Sequence, residues 1–355
     1  MSVKKHTVKS TTEGCLGQPS EKQKGKIKMS NFNRKEEELK LESIIKEFEA
    51  FKESENCISD ENKAKFIEEK RKLISHVLSD YIKDSDETDY VKSFELVYLY
   101  NDLGSSFSDI GDNKYAERFY LEGKRMLKIM KDLGGNYYAE AVFYNNLAFF
   151  YMKTERKTEG ELMYDMSLSA YEKLIEDKYT EDENFEAFLS GYLKTCLDCI
   201  SSVESQKEYA ASLKLCERGI KFRTEAYRSR NALYSMAFIY GFAANNCVML
   251  EKIDDAIEYY KESAEAFSFF TDKIALETRA KSFDTIGMIY LGSEDFYEAR
   301  ENFSKAIMIY ELLSEEYEDD ASEYEKALEA LNQNYDLCMD YIREDDYFPF
   351  DYDEE

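Results

Sequence analysis

One arrangement of bulky, small and aromatic residues recurs along the chain and constrains its fold more than any other feature. It begins at Tyr100, which is followed by apolar or small residues three, four and seven positions later and, after a turn at 111–112, by Ala116, Tyr120 and Gly123. The later copies, the last of them weaker, are Tyr144, Leu147, Ala148, Tyr151, Gly160, Tyr164 and Ser167; Tyr240, Ala243, Ala244, Cys247, Ala256, Tyr260 and Ser263; Phe283, Ile286, Gly287, Tyr290, Ala299, Phe303 and Ala306; and Cys196, Cys199, Ile200, Val203, Ser212, Cys216 and Gly219. Residues at i, i+3, i+4 and i+7 lie on one face of a helix. The pattern therefore predicts pairs of antiparallel helices, and because neither helix can bury its stripe alone, successive pairs must stack.

The composition favours long helices. The 355 residues include only 14 glycines and 2 prolines, which are the residues that most weaken a helix. Apolar residues make up 43% of the chain, which is enough to form a core even though 34% of the residues are charged. We therefore expect an all-α fold.

The recurring pattern resembles the tetratricopeptide repeat over roughly residues 93–317. The opening small residues of the second helices lie at Ala116, Gly160, Ser212, Ala256 and Ala299, so their spacing is 44, 52, 44 and 43 residues, longer than the roughly 34 residues usual in that family. Segments such as 144–148 are similar to the long repeats of kinesin light chains and of bacterial peptide-sensing regulators. The resemblance implies a right-handed α-α superhelix, a solenoid with helical caps and disordered termini. The 52-residue step predicts a longer loop at 176–184.

The segments outside the repeats lack the repeat pattern. The expected organisation is a disordered basic segment at 1–30, an N-terminal helical cap at 31–92, five helix pairs at 93–320, a C-terminal capping helix at 321–343 and an acidic, aromatic tail at 344–355. Met29 is an alternative start of translation, because Lys24-Gly25-Lys26 can be encoded by a purine-rich run like a bacterial ribosome-binding site. The tail is either a disordered solubilising extension or a short binding motif for a basic groove, in another protein or in this chain.

The charge of the chain argues against several classes of partner. The formal net charge is −27; residues 1–30 contain seven Lys against two Glu, about +5, which leaves about −32 for the remainder. Such a body repels nucleic acid and anionic membrane surfaces. Residues 231–250 contain no charge and are long enough to cross a bilayer, but their residues fit the repeat pattern and favour a buried helix. Seven cysteines and the absence of an apolar leader in residues 1–20 predict reduced thiols and a cytoplasmic location.

No motif in the sequence predicts catalysis or a cofactor. There is no glycine-rich phosphate loop or nucleophile elbow, and the two histidines, His6 and His76, lie outside the repeats. Cys196, Cys199 and Cys216 have a spacing that could bind zinc, but all three occupy core positions of the pattern, where cysteine acts as a compact apolar residue. We therefore expect a protein that is not an enzyme and has no metal or cofactor.

The resemblance also implies a binding surface. In the family the inner face of each first helix lines a concave groove, and this face carries over to Asn101, Asp102, Asn145, Asn146, Phe149, Asp198, Phe238, Phe242, Asn245 and Asp284. Asparagine amides can bind an extended peptide backbone, and the phenylalanines would form apolar pockets. The aspartates favour a peptide that carries Lys or Arg. The alternative is that these polar residues only solvate the surface and the partner binds elsewhere.

These observations predict an interaction protein. The leading hypothesis is a scaffold or adaptor that binds a protein or peptide, including a basic segment, in the groove. The alternative is an intracellular peptide-sensing regulator that acts on a protein partner. A DNA-binding version of that regulator is disfavoured, because residues 31–90 have neither the basic charge nor the turn glycine of a helix-turn-helix domain.

Overall fold

The computed structural model describes residues 90–176 and 184–347, and parts of 40–73 (40, 43–47, 50–51, 54, 62, 64–70 and 72–73). These described residues form helices and turns and contain no strand, so the all-α prediction is confirmed for them. The chain divides into two compact units, Met1–Phe188 (unit 1) and Leu189–Glu355 (unit 2).

The helices follow one another in antiparallel pairs. Unit 1 contains α1 (Tyr90–Asp109), α2 (Asn113–Asp132), α3 (Tyr137–Lys153) and α4 (Lys157–Glu176), and α5 (Phe185–Glu204) contains the boundary between the units. Unit 2 continues with α6 (Tyr209–Ile220), α7 (Arg223–Ala226), α8 (Arg230–Met249), α9 (Ile253–Phe267), α10 (Lys273–Gly292), α11 (Phe296–Glu316), a 3-10 turn (Glu318–Asp320) and α12 (Ala321–Tyr347). Within each unit, paired helices pack on each other and on the next pair. The sequence did not predict the interruption of the third pair's second helix between α6 and α7.

The repeated small residues lie where the helices approach most closely. All five opening small residues of the second helices are buried, as are the aromatic or cysteine residues four positions later: Ala116, Gly160, Ser212, Ala256 and Ala299, with Tyr120, Tyr164, Cys216, Tyr260 and Phe303. This confirms the predicted packing stripe of the second helices. In the first helices, Gly104 faces the Tyr120 ring and Gly287 faces the Phe303 ring, which leaves no room for a side chain at either glycine.

Side-chain caps fix where several helices begin. The side chains of Asp112, Asn136, Ser229, Asp272 and Asp295 each accept a hydrogen bond from the backbone N–H three residues further on. Such a cap satisfies one of the N–H groups that the first turn of a helix leaves without an intrahelical partner. The cap of α10 has a second function, because Asp272 Oδ1 also accepts a hydrogen bond from the hydroxyl of Tyr234 on α8, at 2.9 Å. Asp272 therefore ties the fourth helix pair to the fifth.

The turn inside each of the five pairs contains one residue with a left-handed backbone. These residues are Gly111, Glu155, Lys207, Glu251 and Glu294, with φ between 60° and 89°. Each of them lies five positions before the opening small residue of the second helix, so the two sets of residues have the same spacing along the chain. Only the first of them is glycine, so the other four turns carry side chains in a conformation that glycine adopts more easily.

Glycine at one of these turns is expected to stabilise the protein. Glu294 has φ 62°, and Glu294→Gly should raise the free energy of unfolding by roughly 1 kcal/mol by removing this strain. Gly111→Ala should lower it by a similar amount, since no atom lies within 4 Å of the added methyl group and only the backbone conformation (φ 89°) opposes it. Urea unfolding followed by circular dichroism measures both changes. If both variants shift the midpoint in the same direction, the interpretation is wrong.

The two ends of the chain are described only in part. Residues 43–47 and 64–70 are helical, and the rings of Phe51 and Phe66 stack with centroids 4.0 Å apart. At the other end, α12 buries Leu331, Cys338 and Ile342. It extends to Tyr347, four residues beyond the range predicted for the capping helix. The predicted basic segment at 1–30, the remaining residues of the predicted cap, the central residues of the 176–184 loop and residues 348–355 of the tail lie outside the described residues.

The charge-free segment 231–250 forms α8. Its buried face includes Ala232, Met236, Tyr240 and Ala244, and it packs against α9. In the part of the chain that the structure describes, no helix combines the length and apolarity needed to span a bilayer. The interpretation as a buried repeat helix is therefore confirmed.

Candidate functional site

The first helices of unit 1 are joined side by side by polar side chains. The Nδ2 of Asn146 on α3 donates to the Oδ1 of Asn101 on α1 at 3.1 Å. One end of the same interface is held by Lys153, whose ammonium donates to the backbone carbonyl of Ser108 and lies 3.4 Å from its hydroxyl. Asn101 is only 3% exposed. Two of the predicted binding residues, Asn101 and Asn146, therefore hold α1 against α3 with their side chains.

The remaining predicted residues of unit 1 are more accessible. Phe149 is 39% exposed, and Asp102 is half-buried with its Oδ1 3.5 Å from the amide of Asn101. Asn145 is half-buried, and its Oδ1 accepts no hydrogen bond from the described residues. Phe149 is thus the predicted residue of unit 1 that a partner can reach most easily.

In unit 2, three predicted residues lie on α8. Phe238 is half-buried and packs edge-on against Phe267, with ring centroids 4.9 Å apart. Phe242 is half-buried one turn further along the helix. Asn245 is exposed, and its Oδ1 accepts a hydrogen bond of 2.5 Å from the hydroxyl of Tyr260 on α9. The tyrosine holds the amide in one orientation and leaves the donor end of Asn245 toward solvent.

Asp284 on α10 is the most unusual of the predicted residues. It is half-buried, and burial raises the pKa of its carboxyl group above the ordinary value of 3.8. No hydrogen bond or ion pair to Asp284 is found among the described residues. Near it on the same helix, Lys281 is exposed and Met288 is 48% exposed. The last predicted residue, Asp198 on α5, is half-buried.

The register between neighbouring first helices explains why no partner of Asp284 is found among the described residues. The contact pairs Asn101–Asn146 and Ser108–Lys153 are each 45 residues apart, and Met288–Asn334, at 3.4 Å between Sδ and Nδ2, is 46 residues apart. A separation of 46 residues pairs Asp284 with Ala330 on α12, which has no side-chain donor. On α1 the side chain of Asn101 accepts a hydrogen bond from the next first helix. At the equivalent position of α10, the Asp284 carboxylate receives none from the part of α12 that the structure describes.

Two contributors to the surface were missed by sequence reasoning. Tyr260 was assigned to the core, yet its hydroxyl reaches Asn245. Asn334 lies in the predicted C-terminal capping helix and was not among the predicted binding residues, but its side chain contacts Met288. The separation of 45–46 residues between contacting positions of first helices would have indicated that Asn334 lies beside Met288. The contact of the Tyr260 hydroxyl with Asn245 depends on how deeply the tyrosine ring packs between α8 and α9, which the sequence does not show.

The cysteines are core residues. Cys196, Cys199 and Cys216 are buried thiols outside any disulfide bond, and burial raises the pKa of the Cys216 thiol, which opposes formation of the thiolate that would bind a metal. Over the described ranges there is no group of three or more His, Cys, Asp or Glu residues that could hold a metal ion.

Comparison with known proteins does not identify the chain. No protein-family model matches the sequence, and no curated protein is significantly similar to it. Among solved structures, it is similar to BtubC (BKLC) from P. vanneervenii, with 14% identity, a TM-score of 0.46, and coverage of 74% of this chain and 93% of that one. It is also similar to the apo form of RapI, with 12% identity, a TM-score of 0.49, and coverage of 86% of each chain. The description of the fold rests on the helix pairs themselves.

Proposed function

We propose that the chain is a tetratricopeptide-type interaction protein, a cytoplasmic scaffold or adaptor without enzymatic activity. In this proposal it binds a protein or peptide segment on the surface formed by α8, α10 and α12 of unit 2. The observation that carries the proposal is Asp284, a half-buried carboxylate with no partner among the described residues. A Lys or Arg side chain of the partner would bind there.

The energetics favour a cationic anchor at this position. Half-burial removes part of the hydration of the Asp284 carboxylate, and the raised pKa reflects that cost. A guanidinium or ammonium group restores the lost interactions, and a hydrogen bond to a charged group contributes roughly 1.5–3 kcal/mol. The partner thereby replaces the donor that Ala330 does not provide.

Apolar and amide groups on α8 and α10 would add further contacts. Met288 offers an exposed, flexible thioether, and Phe238 and Phe242 offer ring surface on α8. The free donor of Asn245 can bind a backbone carbonyl without selecting a side chain. This combination fits a peptide with one basic residue and one or two apolar residues.

The proposal is tested by peptide selection on the full-length chain. A displayed library of random 12-residue peptides should yield binders enriched in Lys or Arg. Their affinity should fall about tenfold in Asp284→Asn, equivalent to about 1.4 kcal/mol. The matched control is Asp254→Asn, at an exposed aspartate on α9. Because binding requires the ionised carboxylate, affinity should also fall as the pH is lowered toward the raised pKa of Asp284. Binders without Lys or Arg, or equal affinities for the two variants in fluorescence anisotropy, would contradict the proposal.

A further inference from the structure

Unit 2 carries an arginine–aromatic patch that the proposed function does not use. It consists of Arg223, Tyr227, Arg228, Arg230 and Phe269. The rings of Tyr227 and Phe269 are 40% and 59% exposed, and they meet edge to face with centroids 6.4 Å apart. These residues lie in and just after α7, at the first residue of α8 and in the connection before α10.

Buried neighbours hold the patch in place. Phe222 packs perpendicular to Tyr192, with centroids 5.1 Å apart, and Ala226 is completely buried, so the short helix α7 turns Arg223 and Tyr227 outward. In the second connection, Phe270 is buried against Tyr234 with centroids 4.8 Å apart. Its burial leaves the adjacent Phe269 outside. The Arg230 guanidinium lies 5.3 Å from the centre of the Phe270 ring. The backbone that carries the patch is therefore held in place by packed residues, which lowers the ordering cost of binding a partner.

The patch is basic in a strongly acidic chain. Residues 218–230 contain five Lys or Arg and one Glu, whereas the whole chain carries −27. Within the described ranges, Arg223, Arg228 and Arg230 form no ion pair. Burial raises the pKa of Tyr227, and the nearby Glu262 and Glu265 raise it further. All three arginines are exposed, so the carboxylates of a partner can reach them.

We propose that the arginine–aromatic patch binds the acidic, aromatic segment 347–355 of a second copy of this chain. That segment reads Tyr347-Phe348-Pro349-Phe350-Asp351-Tyr352-Asp353-Glu354-Glu355, with five side chains that are aromatic or proline, four carboxylates and no basic residue. Arginine binds carboxylates through paired N–H donors and stacks on aromatic rings, so the two surfaces are complementary in both respects. Arginine and tyrosine are also the side chains that most often dominate binding energy at interfaces.

The dimensions of unit 2 require the segment to come from another copy. The start of α12 lies beside the start of α10, because the Tyr324 hydroxyl donates to Glu277 at 2.6 Å. The patch lies at the same end, because Arg230 and Phe270 adjoin the start of α10. Tyr347 is 23 residues beyond Tyr324, about 34 Å along a helix. The eight residues 348–355 span at most about 29 Å when fully extended. They cannot fold back to the patch of their own chain while α12 remains helical.

A contact of this kind links unlike surfaces, so it builds chains of molecules rather than a closed symmetric dimer. The net charge of −27 on each copy opposes this assembly. At about 0.15 M salt the Debye length is roughly 8 Å, so that repulsion is screened while groups in direct contact still interact. Self-association is therefore expected at physiological ionic strength and should weaken at very low salt.

The test uses the full-length protein and a fluorescent synthetic peptide of residues 344–355. At about 0.15 M salt the peptide should bind saturably, and Arg228→Glu/Arg230→Glu should weaken binding at least tenfold. The matched control, Lys214→Glu/Lys326→Glu, makes the same charge change at exposed lysines of unit 2 outside the patch and should bind normally. A peptide with Phe348→Ser/Phe350→Ser keeps every charge and should also bind at least tenfold more weakly. Circular dichroism checks that each protein variant is folded.

Sedimentation velocity then tests the contact between copies. The weight-average mass of the wild-type chain should rise with concentration, and that of Arg228→Glu/Arg230→Glu should not. Absence of peptide binding, equal binding by the two double variants, or equal binding of the two peptides would overturn the proposal. Asp284→Asn should leave binding of the 344–355 peptide unchanged, although it should weaken the basic peptides selected for the other surface. Failure of this contact is therefore distinguishable from failure of the binding function proposed for the surface around Asp284.

Discussion

Replacing Gly287 with alanine is expected to lower the free energy of unfolding of unit 2 by about 1–3 kcal/mol, the usual cost of overpacking a core. The added methyl carbon would lie 2.7 Å from two carbons of the Phe303 ring and 3.1 Å from a third. Phe303 is completely buried, so its ring cannot swing toward solvent to make room. Alanine is better than glycine in a helix by about 1 kcal/mol. The clash must therefore outweigh a gain in helix propensity.

Two further variants separate the clash from the loss of glycine itself. Gly241 lies inside α8, where a methyl group would meet only the Ser263 hydroxyl, at an ordinary 3.5 Å. Gly241→Ala should therefore stabilise the protein by up to about 1 kcal/mol. In the double variant Gly287→Ala/Phe303→Leu, part of the cost of the two single changes should disappear, because the smaller side chain relieves the contact. Calorimetric melting of the full chain compares the wild type, Gly287→Ala, Gly241→Ala, Phe303→Leu and the double variant, and equal effects of Gly287→Ala and Gly241→Ala would refute the argument.

The same contact shows why much of the fold could be predicted from sequence. A helix that packs closely on a partner needs a small residue at each point of approach, and the period of the helix fixes the spacing of those points. Gly287 and Ala299 therefore carry information about packing that can be read without coordinates. The helix pairs and their buried stripes follow from this local constraint.

The candidate site could be predicted only in part, because side-chain partners depend on the register between helices. Asn245 and Asn246 are adjacent and chemically identical, yet one is exposed and the other is completely buried. Whether Asp284 or Asn101 has a partner depends on the residue 45–46 positions further on, and the structure was needed to establish that separation. The arginine–aromatic patch was missed because it depends on the interruption after α6, where a weak copy of the repeat gave no signal.

Asn246→Leu is expected to lower the free energy of unfolding of unit 2 by about 2–3 kcal/mol. The two N–H groups of the Asn246 amide are shared among three acceptors: Glu204 on α5 at 3.1 Å, the Ser212 hydroxyl on α6 at 2.8 Å and the Phe242 carbonyl at 2.8 Å. Leucine is similar in size but leaves two side-chain acceptors without this donor, and each unsatisfied buried group costs about 1–3 kcal/mol. Asn245→Leu, the same change one residue earlier, breaks only the bond to Tyr260 and should cost no more than about 1 kcal/mol. Urea unfolding at pH 7 compares the two, and equal losses would be evidence against the buried network.

The cost of Asn246→Leu should also depend on pH through Glu204. Burial raises the pKa of the Glu204 carboxyl above its ordinary value of 4.5, and the hydrogen bond from Asn246 partly opposes that shift. A carboxyl group with a raised pKa contributes fully to stability below pH 4.5 and loses that contribution as the pH rises through its folded-state pKa. Without Asn246 the pKa rises further, so the variant should lose more stability at pH 7 than at pH 4.

Glu204→Gln cannot ionise and keeps an acceptor for Asn246, so it should raise stability at pH 7 and remove this pH dependence from the cost of Asn246→Leu. Glu208→Gln, at an exposed glutamate nearby, should do neither. A cost of Asn246→Leu that is the same at pH 4 and pH 7 would show that Glu204 is not the group that depends on this amide.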